Sequence, residues 1–252
     1  MKVLFLKRKV LSIVLLVAII SGVLGMSMGD SSFAQVYFGD SGKKYPIYRV
    51  ATESPKVAIS FDAAWGADKT EQIMAVCEEF GIKATFFLVG FWVEKYPELT
   101  RLIYDNGFEI GSHSFNHPDM TKLSESQMRQ ELESTNATIE GIIDGEVRLF
   151  RPPFGAYNNT LVDVVESMNM RAIQWDVDTL DWKGYNPSQV IDRVTKYVQN
   201  GSIILCHNNA DYVVENTRLI LTTLQNKGYE FVTVGELVQD VQTVKIGVGY
   251  TS

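Results

Sequence analysis

Three histidines occur in the whole chain, and two of them stand four residues apart as His113 and His117 in His-Ser-Phe-Asn-His-Pro. Two neutral imidazoles can hold a divalent metal such as zinc, and a catalytic zinc usually takes three protein ligands. The spacing alone is a weak signal, because it also fits two unrelated surface histidines. Pro118 and the apolar stretch before His113 argue for a strand end and a tight loop rather than a helix. The third, His207, ends the run Ser-Ile-Ile-Leu-Cys-His. An imidazole there titrates near neutrality, so it can hold or release a proton. Asp62, Arg151, Asp178 and Asp181 also follow apolar runs. One such residue is an ordinary loop residue; this many at equivalent positions point to one cleft.

The elements that must position them alternate. Lys-Val-Ala-Ile-Ser-Phe-Asp reads as a buried strand and residues 68–81 as a helix ended by Gly81. Strands are expected at Ala-Thr-Phe-Phe-Leu-Val-Gly, Phe-Glu-Ile-Gly-Ser-His, Leu-Phe-Arg-Pro-Pro, Arg-Ala-Ile-Gln-Trp-Asp-Val, Ser-Ile-Ile-Leu-Cys-His and Glu-Phe-Val-Thr-Val. Helices fall between them, the longest opening on Ser124 with Gln127 three residues on, a capping-box spacing. Seven apolar strands separated by helices imply a parallel sheet covered by helices, either a nearly closed barrel or an open doubly wound sheet. In both, function sits at the C-terminal strand ends.

The chain has 252 residues and a net charge of −7. That acidic balance argues against a nucleic-acid partner. Two cysteines, Cys77 and Cys206, are too few for a disulfide scaffold or a cysteine-built zinc site, and both are expected as buried thiols. A basic cluster, Lys7, Arg8 and Lys9, precedes an uncharged run over residues 10–29. This is the pattern of a signal peptide or an N-terminal membrane anchor over 1–30. Ser32-Phe33-Ala34 offers small residues for cleavage before Gln35, so cleaved and anchored forms are both open. The chain is therefore expected to be exported, extracellular or in the cell envelope. Residues 31–54 read as a linker or arm, 55–240 as the functional domain and 241–252 as a tail.

Five separated motifs resemble the polysaccharide deacetylases (the NodB-homology, carbohydrate esterase family 4 group), in that family's order. They are Ser-Phe-Asp-Ala-Ala-Trp-Gly at 60–66, His-Ser-Phe-Asn-His-Pro at 113–118, Arg-Pro-Pro-Phe-Gly-Ala-Tyr at 151–157, Asp-Thr-Leu-Asp-Trp at 178–182 and Leu-Cys-His at 205–207. The first resembles the sporulation and clostridial-type branch most. The resemblance implies an α/β fold, a distorted, TIM-like (β/α)7 barrel forming a single catalytic domain. It implies removal of N-acetyl groups from an amino-sugar polymer, peptidoglycan or spore cortex first, with chitin oligomers also open.

By the same resemblance His113 and His117 are metal ligands, for zinc first, with cobalt or manganese as alternatives. Asp62 is the base that takes a proton from water, and Arg151 orients it. His207 is the acid for the leaving amine, and Asp181 orients His207. The Phe154 backbone N–H faces the oxyanion. Trp182 and Leu205 receive the acetyl methyl, and Phe91, Trp92, Trp65 and Tyr157 are candidates to line a sugar groove. The oligomeric state is not readable.

The first motif departs from the family. Where it usually reads Phe-Asp-Asp-Gly, this chain has Ala63 in place of the second Asp, normally the third metal ligand. A methyl group cannot coordinate a cation. Asp68 is the first candidate to supply the missing ligand and Asp119 the next, though Asp68 equally suits a helix cap. Otherwise water completes the shell of a weak enzyme, or the site binds glycan without cleaving it.

Overall fold

The computed structural model describes residues 42–239. The apolar segment 10–29, the cleavage position before Gln35, residues 31–41 of the expected arm and the tail 241–252 lie outside the described residues. Among the described residues, no helix is long and apolar enough to cross a membrane.

In chain order the elements are β1 (Lys56–Ala63), α1 (Thr70–Glu79), β2 (Thr85–Leu88), α2 (Gly90–Lys95), α3 (Pro97–Asp105), β3 (Glu109–Ser112), α4 (Glu125–Glu140) and β4 (Leu149–Phe150). They continue as α5 (Asn159–Ser167), β5 (Arg171–Ala172), β6 (Val177–Asp178), α6 (Pro187–Tyr197), β7 (Ile203–His207), α7 (Val213–Asn226), β8 (Glu230–Phe231) and α8 (Val234–Gln239). The strands pair in parallel in the order β5-β4-β3-β2-β1-β7-β6, with β8 beside the start of β1. This is the expected distorted, TIM-like (β/α)7 barrel.

β1 is central, and every residue after Lys56 is buried. Both faces of a parallel strand are covered, which is why its sequence runs almost continuously apolar. The faces still differ by the two-residue period. Val57, Ile59, Phe61 and Ala63 join the apolar layer under the helices. Ala58 belongs to the inner cluster with Phe87, Leu149, Ile173 and Ile203. Ser60 and Asp62 share the face of Ala58, so the carboxylate points into the barrel mouth. Helix starts follow local chemistry: Ser124 and Gln127 form a complete capping box on α4, and Asn186 and Gln189 form another on α6, with Pro187 in its first turn.

Two segments differ from the sequence reading. Arg-Ala-Ile-Gln-Trp-Asp-Val, expected as one strand, is two short strands, β5 and β6. The segment 47–50, expected as part of the 31–54 linker, instead pairs beside them. Ile47 bridges Ile173 in parallel and Arg49 bridges Ser202 in antiparallel sense, so the segment links β5 to the start of β7. Ile47, Tyr48 and Val50 are buried. Gly201 (φ +80°) permits this approach, since a Cβ there would lie 1.8 Å from the Val50 carbonyl oxygen.

At the N-terminal strand ends a cavity of about 470 Å³ opens, lined by Phe108, Glu109, Leu149, Arg171 and Gly235 among others, and it holds none of the expected site residues. There the Glu109 carboxylate accepts from Thr85 Oγ1 at 2.7 Å and from the Gly235 N–H at 2.9 Å, tying α8 to the sheet. This end of a barrel serves stability rather than chemistry.

Candidate active site

Asp62 lies at the end of β1, in register with His207 on β7 and Phe87 on β2. Arg151 follows β4 and is fully buried. Its Nη1 donates to Asp62 Oδ1 at 2.7 Å, and its Nη2 donates to Ser60 Oγ at 2.9 Å and to the Gln174 carbonyl at 3.2 Å. The guanidinium carbon stands 4.1 Å from the Phe87 ring centroid. Burial works against ionisation of Asp62, but Arg151 first, then His113 and His207, hold its carboxyl below the ordinary range. A rigid guanidinium fork fits this double task, which a point charge does not.

His113 ends β3 and is buried. Its Nδ1 lies 2.7 Å from the Arg151 carbonyl, which can only accept, so Nδ1 carries the proton. Nε2 keeps its lone pair and lies 3.4 Å from Asp62 Oδ2. His117 stands 4.9 Å from His113, ring centroid to centroid. Burial pushes both below the ordinary imidazole value, His117 to about 4 with His113 adding to the effect. Both are neutral at pH 7, the state a ligand needs. The loop between them turns through left-handed Ser114 (φ 66°) and His117 (φ 55°). Glu131 of α4 clamps it, accepting from the N–H groups of Phe115 and Asn116 at 2.8 Å each and from Asn116 Nδ2 at 2.7 Å.

His207 and Asp181 form the other side. His207 Nδ1 lies 2.8 Å from Asp181 Oδ1, and the His207 N–H donates to Asp181 Oδ2 at 2.9 Å. Burial alone would lower the His207 pKa; the hydrogen bond and charge of Asp181 outweigh it, and the net shift is upward. Oδ1 also accepts from the Trp182 N–H at 2.8 Å. The Asp178 carboxylate accepts from the Leu180 N–H, and burial raises its pKa.

The sequence-expected contacts divide. Phe154 sits at φ 59° in the turn Pro153–Gly155, is 69% exposed, and brings its ring 4.7 Å from His117. Trp182 is exposed beside Asp181, and Leu205 is buried two residues before His207 on the same strand face. Tyr157 shares a hydrogen bond with Tyr48 (3.2 Å). Sequence reasoning missed Ser60, Glu131 and Gln174, whose side chain holds the Gly155 carbonyl at 2.8 Å. Only Ser60 had a legible signal, two residues before Asp62 and thus on its face.

A metal centre is incomplete. Among the described residues, no three His, Cys, Asp or Glu side chains are grouped so as to hold an ion. Ala63 is buried in the apolar layer. Asp119 is spent capping the turn at Met120–Lys122 through Thr121. Asp68 is exposed, and neither carboxylate joins the histidines as the sequence reading considered. The donor set therefore falls one short of a usual catalytic zinc.

Comparison with known proteins is consistent with this site. A family model for polysaccharide deacetylase matches residues 49–173. YlxY of Bacillus subtilis is 36% identical over 79% of this chain and 62% of its own length. The peptidoglycan-N-acetylglucosamine deacetylase PgdA of Listeria monocytogenes is 32% identical over 78% of this chain and 42% of its own. The chain thus spans less than two thirds of these relatives. The crystal structure of a CE4 family pseudoenzyme from Bacillus anthracis superposes with a TM-score of 0.74 at 34% identity, covering 76% of this chain and 68% of that one. A mutant of that pseudoenzyme with restored enzymatic activity superposes equally well at 35% identity, over 76% of this chain and 70% of that one. The motifs, the strand-end polar set and these likenesses agree, and the chain belongs to the polysaccharide deacetylase family.

Proposed function

We propose that the chain removes N-acetyl groups from an extracellular amino-sugar polymer, peptidoglycan first, spore cortex and chitin oligomers among the alternatives. One observation carries the reading: a buried, Arg-held carboxylate and an Asp-held imidazole stand in register on adjacent strands, β1 and β7. That is a base and an acid facing one mouth. The Asp62 carboxylate accepts a proton from water as the water oxygen adds to the acetamide carbonyl. Arg151 keeps Asp62 ionised and aimed. The Phe154 N–H donates to the oxyanion. His207, kept protonated by Asp181, gives its proton to the amine nitrogen as the C–N bond breaks, releasing acetate and a free amino sugar. Trp182 and Leu205 receive the methyl group, and Tyr157 borders the sugar groove.

His113 and His117 are the donors for a divalent ion, zinc first, then cobalt or manganese. They do not complete a three-ligand centre. The protein acts outside the cytoplasm, either released or held by residues 10–29 in the membrane.

Ala63 and the likeness to a pseudoenzyme favour a second reading, a glycan-binding protein with little or no turnover. Incubation of the chain with N-acetylglucosamine oligomers and peptidoglycan fragments, with zinc, cobalt or manganese, separates the two. Acetate release that vanishes in Asp62→Asn supports the hydrolase. Saturable glycan binding without acetate under every metal supports the second reading.

A further inference from the structure

The loop after β1 carries a large side chain that the chemistry above does not use. Ala64 is buried, and Gly66 turns the loop at φ +67°. The Gly66 carbonyl accepts from Trp92 Nε1 at 2.7 Å and from Asn208 Nδ2 at 3.0 Å, which fastens the loop to α2 and to the end of β7. Trp65 is nevertheless turned outward and is 57% exposed. Its ring packs edge-on to His117 at 5.1 Å and tilted to Phe91 at 6.4 Å. Phe154, the other exposed ring touching His117, is held at a positive φ that costs backbone strain. Two large apolar rings left in water on pinned loops beside a polar cleft is the pattern of a binding surface rather than of packing.

We propose that Trp65 is a stacking platform for a pyranose unit next to the one whose acetamide reaches Asp62 and His207, and so makes the site prefer oligomers. This rests on the glycan reading above. A pyranose offers a flat face of C–H groups and a rim of hydroxyls. The indole face suits the first and the cleft the second, and the contact with His117 makes the platform continuous with the reacting position. Trp65 touches no reacting atom in this scheme; it sets affinity and length preference.

The test uses the full chain and the N-acetylglucosamine tetramer, followed by calorimetry and by tryptophan fluorescence. Trp65→Ala is expected to weaken tetramer binding by about tenfold, as truncating an aromatic anchor does. Trp65→Phe, which keeps a ring, should stay within about threefold of the parent. Melting temperatures of the three proteins should agree, since an exposed ring holds little of the core. Tetramer affinity in Trp65→Ala equal to the parent overturns the proposal, as does equal loss in both variants. The two readings fail separately. Trp65-dependent binding without acetate release defeats the hydrolase alone. Acetate release with an unchanged KM in Trp65→Ala defeats the platform alone. A parent chain that binds no tetramer yet releases acetate from peptidoglycan fragments defeats the platform alone.

Discussion

Replacing Arg151 by Met tests whether the base is held by a buried ion pair. The Asp62 side chain is 8% exposed and that of Arg151 is not exposed. The substitution removes the 2.7 Å bond to Oδ1 and leaves Oδ2 with the His113 Nε2 contact at 3.4 Å. Breaking a buried pair from one side costs about 3–5 kcal/mol, because a desolvated charge is left uncompensated. Asp62→Asn strands the guanidinium and costs a similar amount. If the two losses were independent the double variant would lose about 6–10 kcal/mol, the order of the whole stability of a domain. If they report one pair, the double variant loses little more than either single, a coupling of about 3 kcal/mol or more. Urea unfolding followed by circular dichroism measures all three. Should Arg151→Met fail to fold, Arg151→Lys keeps the charge without the fork and is expected to lose about 1–3 kcal/mol. Additivity within about 0.5 kcal/mol, or a loss below about 1 kcal/mol in Arg151→Met, refutes the reasoning.

Ala63→Asp places a carboxylate in a fully buried position, so the metal-free variant should be less stable by about 1–3 kcal/mol. Zinc should restore its melting temperature and bind more than about tenfold tighter than to the parent, read by calorimetry; a variant indifferent to zinc sinks the vacant-ligand reading. Asp181→Asn removes what raises the His207 pKa. A raised folded value gives stability that is complete below the ordinary imidazole pKa and is lost as pH rises through the folded one. The variant should therefore be less stable than the parent below the ordinary imidazole pKa, with the difference fading as pH rises through the folded value, and the alkaline limb of kcat should move to lower pH; an unmoved limb removes His207 as the acid. Gly201→Ala sets a Cβ against the Val50 carbonyl at φ +80°, and should cost about 3 kcal/mol, or about 6–12 °C in melting temperature by calorimetry.

The site was more legible than the sheet edges. Asp62, His113 and His207 end long apolar runs, and a strand end is written in sequence as the point where such a run meets a polar residue. Arg151 was legible for the same reason, with Pro152 and Pro153 marking the stop. What holds them was not. Glu131 is one of several glutamates on α4, and only the folded loop gives it Phe115 and Asn116 to bind. The pairing of Ile47 beside Ile173 was invisible because Ile47 lies far away in the chain and in a polar stretch. α2 was also missed: Gly90 begins it directly after β2, where a longer strand was expected. Ala63 was conspicuous, yet its burial in the helix-side layer follows only from the strand's alternation.

β1 sits between β2 and β7, neighbours drawn from the two ends of the folded segment. Asp62 must wait for Arg151, 89 residues downstream. A nascent or truncated polypeptide ending before β4 therefore carries a carboxylate that has every reason to stay hydrated, and hydration there keeps the central strand from being sealed. The cleft is complete only once β4 has docked. With partners so distant in sequence, that folding is expected to be slow.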